Sequence, residues 1–198
     1  MPHHVEPTYR HLLEWYDFQM RNISVTWVPG TDTGRLAEVL GADPSTAGQR
    51  NLADAYDESY ERAVSGEGPN PVLIGLAGAW LVVLEPLASG GRRKLEALSA
   101  AGEACCITVA HGSYCSFYYA REGRLVCRLV RLDDPEGDVR PLEPRLAGLG
   151  LRDKVTFDVW LTHAFLLAER ITGVHLGEEW FADEHTRYFY GGALLVGS

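Results

Sequence analysis

The chain has 198 residues, a net charge of −9, 46% hydrophobic residues and 23% charged residues, a balance that excludes a dominantly disordered chain. The length suits one domain of roughly 150–200 residues, with a core large enough to need no disulfide or metal staple. An acidic balance with no basic run argues against nucleic acid bound through its phosphates, and against an anionic membrane surface.

The first residues, Met1-Pro-His-His-Val-Glu-Pro, lack the basic and apolar regions of a secretory signal. Residues 7–21 read as an amphipathic helix, with Leu12, Leu13, Tyr16 and Met20 at helical spacing. Ile23–Val28 alternates like a short strand and closes on Pro29-Gly30. A helix over 33–40, capped by Thr31 or Thr33, is expected to end at Gly41. Asp43-Pro44-Ser45-Thr46 reads as loop, and a polar helix follows near 50–64.

The centre reads as sheet. Pro71–Leu76 and Ala79–Leu84 flank the turn Ala77-Gly78 as a hairpin. The whole apolar stretch is shorter than the ~18–20 residues that span a bilayer. Trp80–Leu84 is apolar at both alternating sets of positions, which marks a strand covered on both faces. After Glu85-Pro86, Ser89 is expected to cap a helix over about 91–100. Ala104–His111, Tyr114–Ala120 and Arg124–Leu132 read as three more strands, the last two joined by a tight turn at Glu122-Gly123. Residues 133–138 form an acidic loop. Phe157–Thr172 is a long helix with a stripe of Trp160, Ala164, Leu167 and Ile171, ended by Gly173. The expected fold is therefore α+β: one domain over 1–184 with an antiparallel sheet of about five to six strands and packed helices. An aromatic and apolar extension over 185–198 follows it.

Sixteen of the 18 basic residues are arginine, only Lys94 and Lys154 being lysine. Genomic codon bias explains arginine everywhere, while bidentate anion pairing explains it at particular positions. Two such positions, Arg92 and Arg93, open the helix after Ser89 and oppose its dipole, so they call for exposure or for an anion. The backbone N–H groups of Gly90-Gly91 beside them form a candidate cradle for phosphate or carboxylate. Glu85, at the end of the doubly buried strand, is a candidate base or counter-ion.

His111, at a strand end, is a candidate acid or base, against the reading of a turn histidine bonded to backbone. Cys105, Cys106, Cys115 and Cys127 contain no CxxC pair and adjacent strand residues point to opposite faces. Buried packing of reduced thiols is the simplest reading of them, with Cys115 as the alternative nucleophile. No metal set, cofactor motif or nucleotide-binding glycine motif is visible. With a turn at Glu122-Gly123, Ala120 is expected opposite Leu125, Tyr118 opposite Cys127 and Phe117 opposite Arg128. That register surrounds Arg128 with Phe117, Tyr119, Val126 and Val130, and places Tyr118 on the other face. Either face is a candidate recognition surface, or ordinary cross-strand packing.

The strand with Trp27, Leu40-Gly-Ala-Asp-Pro44, Gly78-Ala-Trp-Leu-Val-Val-Leu-Glu85, Leu98-Ser99, the Tyr118…Glu122-Gly123 hairpin and Leu167-Ala-Glu-Arg-Ile-Thr-Gly173 occur in that order. In these features, from about Ile23 to Trp180, the chain resembles an uncharacterised family of actinobacterial proteins. The resemblance implies a bacterial, cytosolic, single-domain protein and carries no activity, cofactor or site residue. The chain departs from it at His185–Val196, which reads as a tail tied to its own sheet, an edge strand or a docking segment.

Three functions are compatible with these residues. The leading one is a non-catalytic cytoplasmic binding protein, of accessory or immunity type. It recognises a protein or small anionic ligand through Ser89, Arg92, Arg93, Tyr118 and Arg128. The second is a metal-independent enzyme of secondary metabolism using Glu85 or His111, with Cys115 as nucleophile. The third is a homo-oligomer assembled through the C-terminal tail.

Overall fold

In a computed structural model, which describes residues 8–66, 68–111 and 114–191, the chain forms an α+β fold around one antiparallel sheet. The strands are β1 (Ile23–Pro29), β2 (Ala42–Arg50), β3 (Pro71–Ala77), β4 (Trp80–Pro86), β5 (Glu103–Ala110), β6 (Tyr114–Arg121), β7 (Arg124–Val130), β8 (Glu136–Gly137) and β9 (His185–Tyr190). They lie in the order β2-β9-β3-β4-β1-β5-β6-β7-β8. The helices are α1 (Thr8–Trp15), α2 (Asp17–Met20), α3 (Thr33–Leu40), α4 (Leu52–Ser65), α5 (Gly90–Arg93), α6 (Leu95–Leu98), α7 (Glu143–Leu146), α8 (Phe157–Thr172) and α9 (Glu178–Ala182).

Alternation along the central strands splits the core into two layers. Val82 and Leu84 of β4 face α8, where they meet Trp27, Ile107, Leu161 and Phe165. Leu81 and Val83 face α3, among Leu36, Leu40, Ile74 and Tyr188. The expected double burial of β4 is therefore present. Trp27 and Trp160 are fully buried on the α8 side, where each large side chain contributes about 1.5–3 kcal/mol by leaving water.

The sheet has nine strands, more than expected, because three were not visible as strands. β2 runs through Asp43-Pro44-Ser45-Thr46, read as loop, and is an edge strand, where proline removes no ladder bond. β8 has two residues inside the acidic loop. β9 bears out the reading of a tail tied to its own sheet and corrects the edge-strand alternative: it is an interior strand, paired antiparallel with β2 on one side and β3 on the other. The fold thus runs past the expected boundary at 184, and both edges of β9 are taken within the chain. The remainder of the expected tail, residues 192–198, lies outside the described residues, as do the Gly112-Ser113 turn and the side chain of Leu12.

Other boundaries moved less. The first helix breaks at Tyr16 into α1 and α2. Asp32, not a threonine, caps α3 by accepting the Arg35 N–H at 2.9 Å. Gly41 and Gly173 close α3 and α8 in the left-handed conformation that a Cβ disfavours.

The β6–β7 register differs from the expected one. The turn at Glu122-Gly123 and the Ala120–Leu125 pair are present, but a bulge between Tyr119 and Ala120 shifts the rest by one residue. Tyr118 consequently stands opposite Arg128, Tyr119 opposite Cys127 and Phe117 opposite Leu129. Arg128 lies on the Tyr118 face, not among Phe117 and Tyr119.

Candidate functional site

The α3–α5 side of the sheet carries a polar strip that sequence reasoning missed. Strand pairing sets Glu85 beside Ser24, Ser24 beside Thr108 and Thr108 beside Ser116. One rung away Thr26 pairs with Cys106, Cys106 with Tyr118 and Tyr118 with Arg128. Ser24, Thr26 and Glu85 are fully buried, so each polar atom needs a partner. The Cys106 thiol supplies one, at 3.3 Å from Ser24 Oγ and 3.2 Å from Thr26 Oγ1. Burial pushes that thiol up to about 12.

Glu85 is the hub of the strip. Its Oε1 accepts the Gly90 N–H at 2.6 Å and its Oε2 the Gly91 N–H at 2.8 Å. The Tyr190 hydroxyl donates to Oε1. Burial pushes the carboxyl above the usual range, while Tyr190, the two amides and Arg93 pull it down. Burial and the neighbouring carboxylate push the Tyr190 hydroxyl well up. The Gly90-Gly91 cradle expected for an external anion is therefore filled by the chain's own carboxylate. Ser89, the expected cap, makes no capping bond. The two glycines are required by contact: a Cβ on Gly91 would sit 2.5 Å from Thr26 Oγ1 and 3.0 Å from Glu85 Oε2.

Beside this hub the chain assembles cations on an aromatic ring. The Arg92 guanidinium lies 4.7 Å from the Tyr118 centroid and that of Arg128 5.3 Å. Arg128 is fastened: it donates to Ser116 Oγ through Nε at 3.2 Å and through a terminal nitrogen at 3.1 Å, and pairs with Glu136 at 3.0 Å. Arg92 and Arg93 are exposed and make no ion pair among the described residues.

The proposed catalytic groups are not brought together. Cys115 is fully buried on the opposite, α8-facing side with Phe117 and Leu129, and burial pushes its thiol up to about 12. It is a packing residue there, because a nucleophile needs an accessible thiolate. His111 is exposed, at φ 51°, with its backbone N–H donated to Asn22 Oδ1 at 2.9 Å. Asn22 also accepts the Leu87 N–H on its carbonyl at 3.0 Å. His111 is thus a turn histidine of the Asn22 corner, and no hydrogen bond or ion pair joins it to Glu85 among the described residues.

Among the described residues no group of three or more His, Cys, Asp or Glu is placed to hold a metal, and no helix is long and apolar enough to cross a membrane. A cavity of about 370 Å³ lined by Leu13, Glu14, Asp17, Arg21 and Asp158 opens at α1, α2 and the first turn of α8, away from the strip. Compared with family models, curated proteins and solved structures, the chain matches none. The functional reading accordingly rests on the side chains.

Proposed function

We propose that the protein is a non-catalytic cytosolic binding protein, of accessory or immunity type. It receives an anionic group, carboxylate or phosphate, at Arg92 and Arg93 beside the Tyr118–Arg128 platform. The observation that carries this reading is the state of its exposed cations. Elsewhere on the surface several arginines find carboxylates: Arg21 with Asp17, Arg35 with Glu38, Arg140 with Asp138 and Arg152 with Glu143. The exposed Arg50, Arg124 and Arg170, which have no ion pair among the described residues, are not consecutive with another such cation. On a chain of net charge −9, Arg92, Arg93 and Lys94 stand together with no ion pair among the described residues. Planar guanidinium groups suit bidentate capture of carboxylate or phosphate.

The buried state of Glu85 and the separation of His111 and Cys115 leave the enzymatic reading without a supporting observation. Four buried cysteines, none in a disulfide, fit a reducing compartment. Chemical-shift mapping of the full chain against a hexaglutamate peptide and, separately, inorganic phosphate tests the site. Shifts centred on Gly90–Lys94 and Tyr118 are expected, and the stronger probe identifies the source of the anion. Shifts absent from this corner with both probes overturn the reading.

A further inference from the structure

We propose that Glu85 is a positioning residue for this corner. Together with Tyr190 it fixes where α5 begins, and so the direction in which Arg92 and Arg93 leave the fold. The inference rests on the binding reading above and goes beyond it by assigning the buried carboxylate a task.

Helix α5 spans only Gly90–Arg93, too short to hold its own geometry, since a first helical turn is costly to nucleate. Its approach is irregular: after Pro86 the chain passes through Leu87 at φ 56°, and Ser89 offers no cap. The approach is held upstream by the Leu87 N–H on the Asn22 carbonyl, and the first residues of the helix itself by the Gly90 and Gly91 N–H groups, which end on the two oxygens of one carboxylate. A two-point attachment of successive amides sets orientation as well as position. The third bond to that carboxylate comes from Tyr190 of β9, 105 residues away in the chain. Three elements, β4, α5 and β9, therefore meet at Glu85, and the exposed Arg92 and Arg93 follow directly from the second of them.

The groups facing Glu85 are few. Tyr190 reaches it from β9, Arg93 from α5, and Cys106 from β5 lies within electrostatic reach; β1 contributes the uncharged Thr26 beside Gly91. Every hydrogen-bonding partner of the carboxylate is a donor. Loss of one donor, or gain of a proton on an oxygen, weakens the grip on the amides without removing an arginine.

The milder substitution, Tyr190→Phe, takes away one hydroxyl and keeps the ring, so the full chain is expected to stay folded. The Gly90 and Gly91 amide resonances are followed with pH, with their hydrogen exchange and with hexaglutamate affinity. In the wild type both amides are expected to titrate together with one midpoint. Tyr190→Phe should raise that midpoint by about one unit, speed exchange of both amides about tenfold and weaken peptide binding severalfold with both arginines intact. Amides that move independently, or a midpoint and exchange rate unaltered by Tyr190→Phe, overturn the positioning role. A wild type whose amides behave as expected but which fails to bind the peptide overturns the binding reading instead.

Discussion

Tyr118 stands directly opposite Arg128 across the β6–β7 pair, with the guanidinium 5.3 Å from the ring centroid. The bulge at Tyr119/Ala120 makes this contact: without it Arg128 would stand opposite Phe117 on the α8 side of the sheet, away from Tyr118 and Ser116. Its hydrogen bonds to Ser116, which is 1% exposed, give the cation a second, buried anchor.

Arg128→Ala leaves the Ser116 hydroxyl buried without that donor and removes the cover of Tyr118. A loss of about 1–3 kcal/mol is expected, read as a lower urea midpoint with an unchanged slope. Arg128→Lys should recover only part, because an ammonium cannot reproduce the fork. An unchanged midpoint in the alanine variant would show the platform to be superficial.

Glu85→Gln replaces one of two acceptor oxygens by a donor facing a backbone N–H, and a cost of about 1–3 kcal/mol is expected. The folded carboxyl lies above its ordinary value of 4.5, chiefly through burial. The stabilisation linked to its proton is therefore complete below that value and is lost as pH rises through the folded one. Denaturation of both proteins across that range should show the wild-type advantage shrinking as pH rises. An advantage that grows with pH would mean that the donors outweigh burial.

His185 is 7% exposed, and burial holds it below its ordinary value of 6.5 against the Trp180 carbonyl and Asp183. The sign is opposite to that of Glu85. Its contribution is complete above 6.5 and is lost as pH falls through the folded value. Melting temperature measured from neutral to mildly acid pH should drop less steeply in His185→Gln than in the wild type.

How much of this was legible beforehand follows from the range of the interactions. The β3–β4 hairpin and α8 declare themselves through local periodicity, and Glu85 stood out because it ends a strand apolar on both faces. Its partner Tyr190 did not, since nothing within reach of β4 in the sequence announces that β9 inserts between β2 and β3. Asp43-Pro44-Ser45-Thr46 has the residues of a loop, and only Asp43 of the four pairs with β9; the rest fall in the register shift before Gly48 and are carried in the edge strand by the pairing at its two ends. Ser24 and Thr26 did carry a signal, as polar residues alternating within Ile23–Val28, but it also fits a strand with one wet face. The register of Arg128 depended on a bulge that leaves no mark in the residues around it.

All four cysteines are buried and outside any disulfide, with Cys115 and Cys106 pushed up to about 12 and Cys127 to about 11. A thiol reagent should therefore label none of them rapidly in the folded chain and all of them in denaturant. Rapid native labelling of Cys115 would restore it as a nucleophile.

The central claim is that anion recognition depends on where the cations are and not on how many there are. The direct measurement compares hexaglutamate affinity in Arg92→Ala/Arg93→Ala with that in Arg35→Ala/Arg140→Ala, which removes equal charge from arginines already paired with Glu38 and Asp138. The account predicts a loss of about tenfold or more in the first and little change in the second. Equal losses in both, or none in the first, would contradict it.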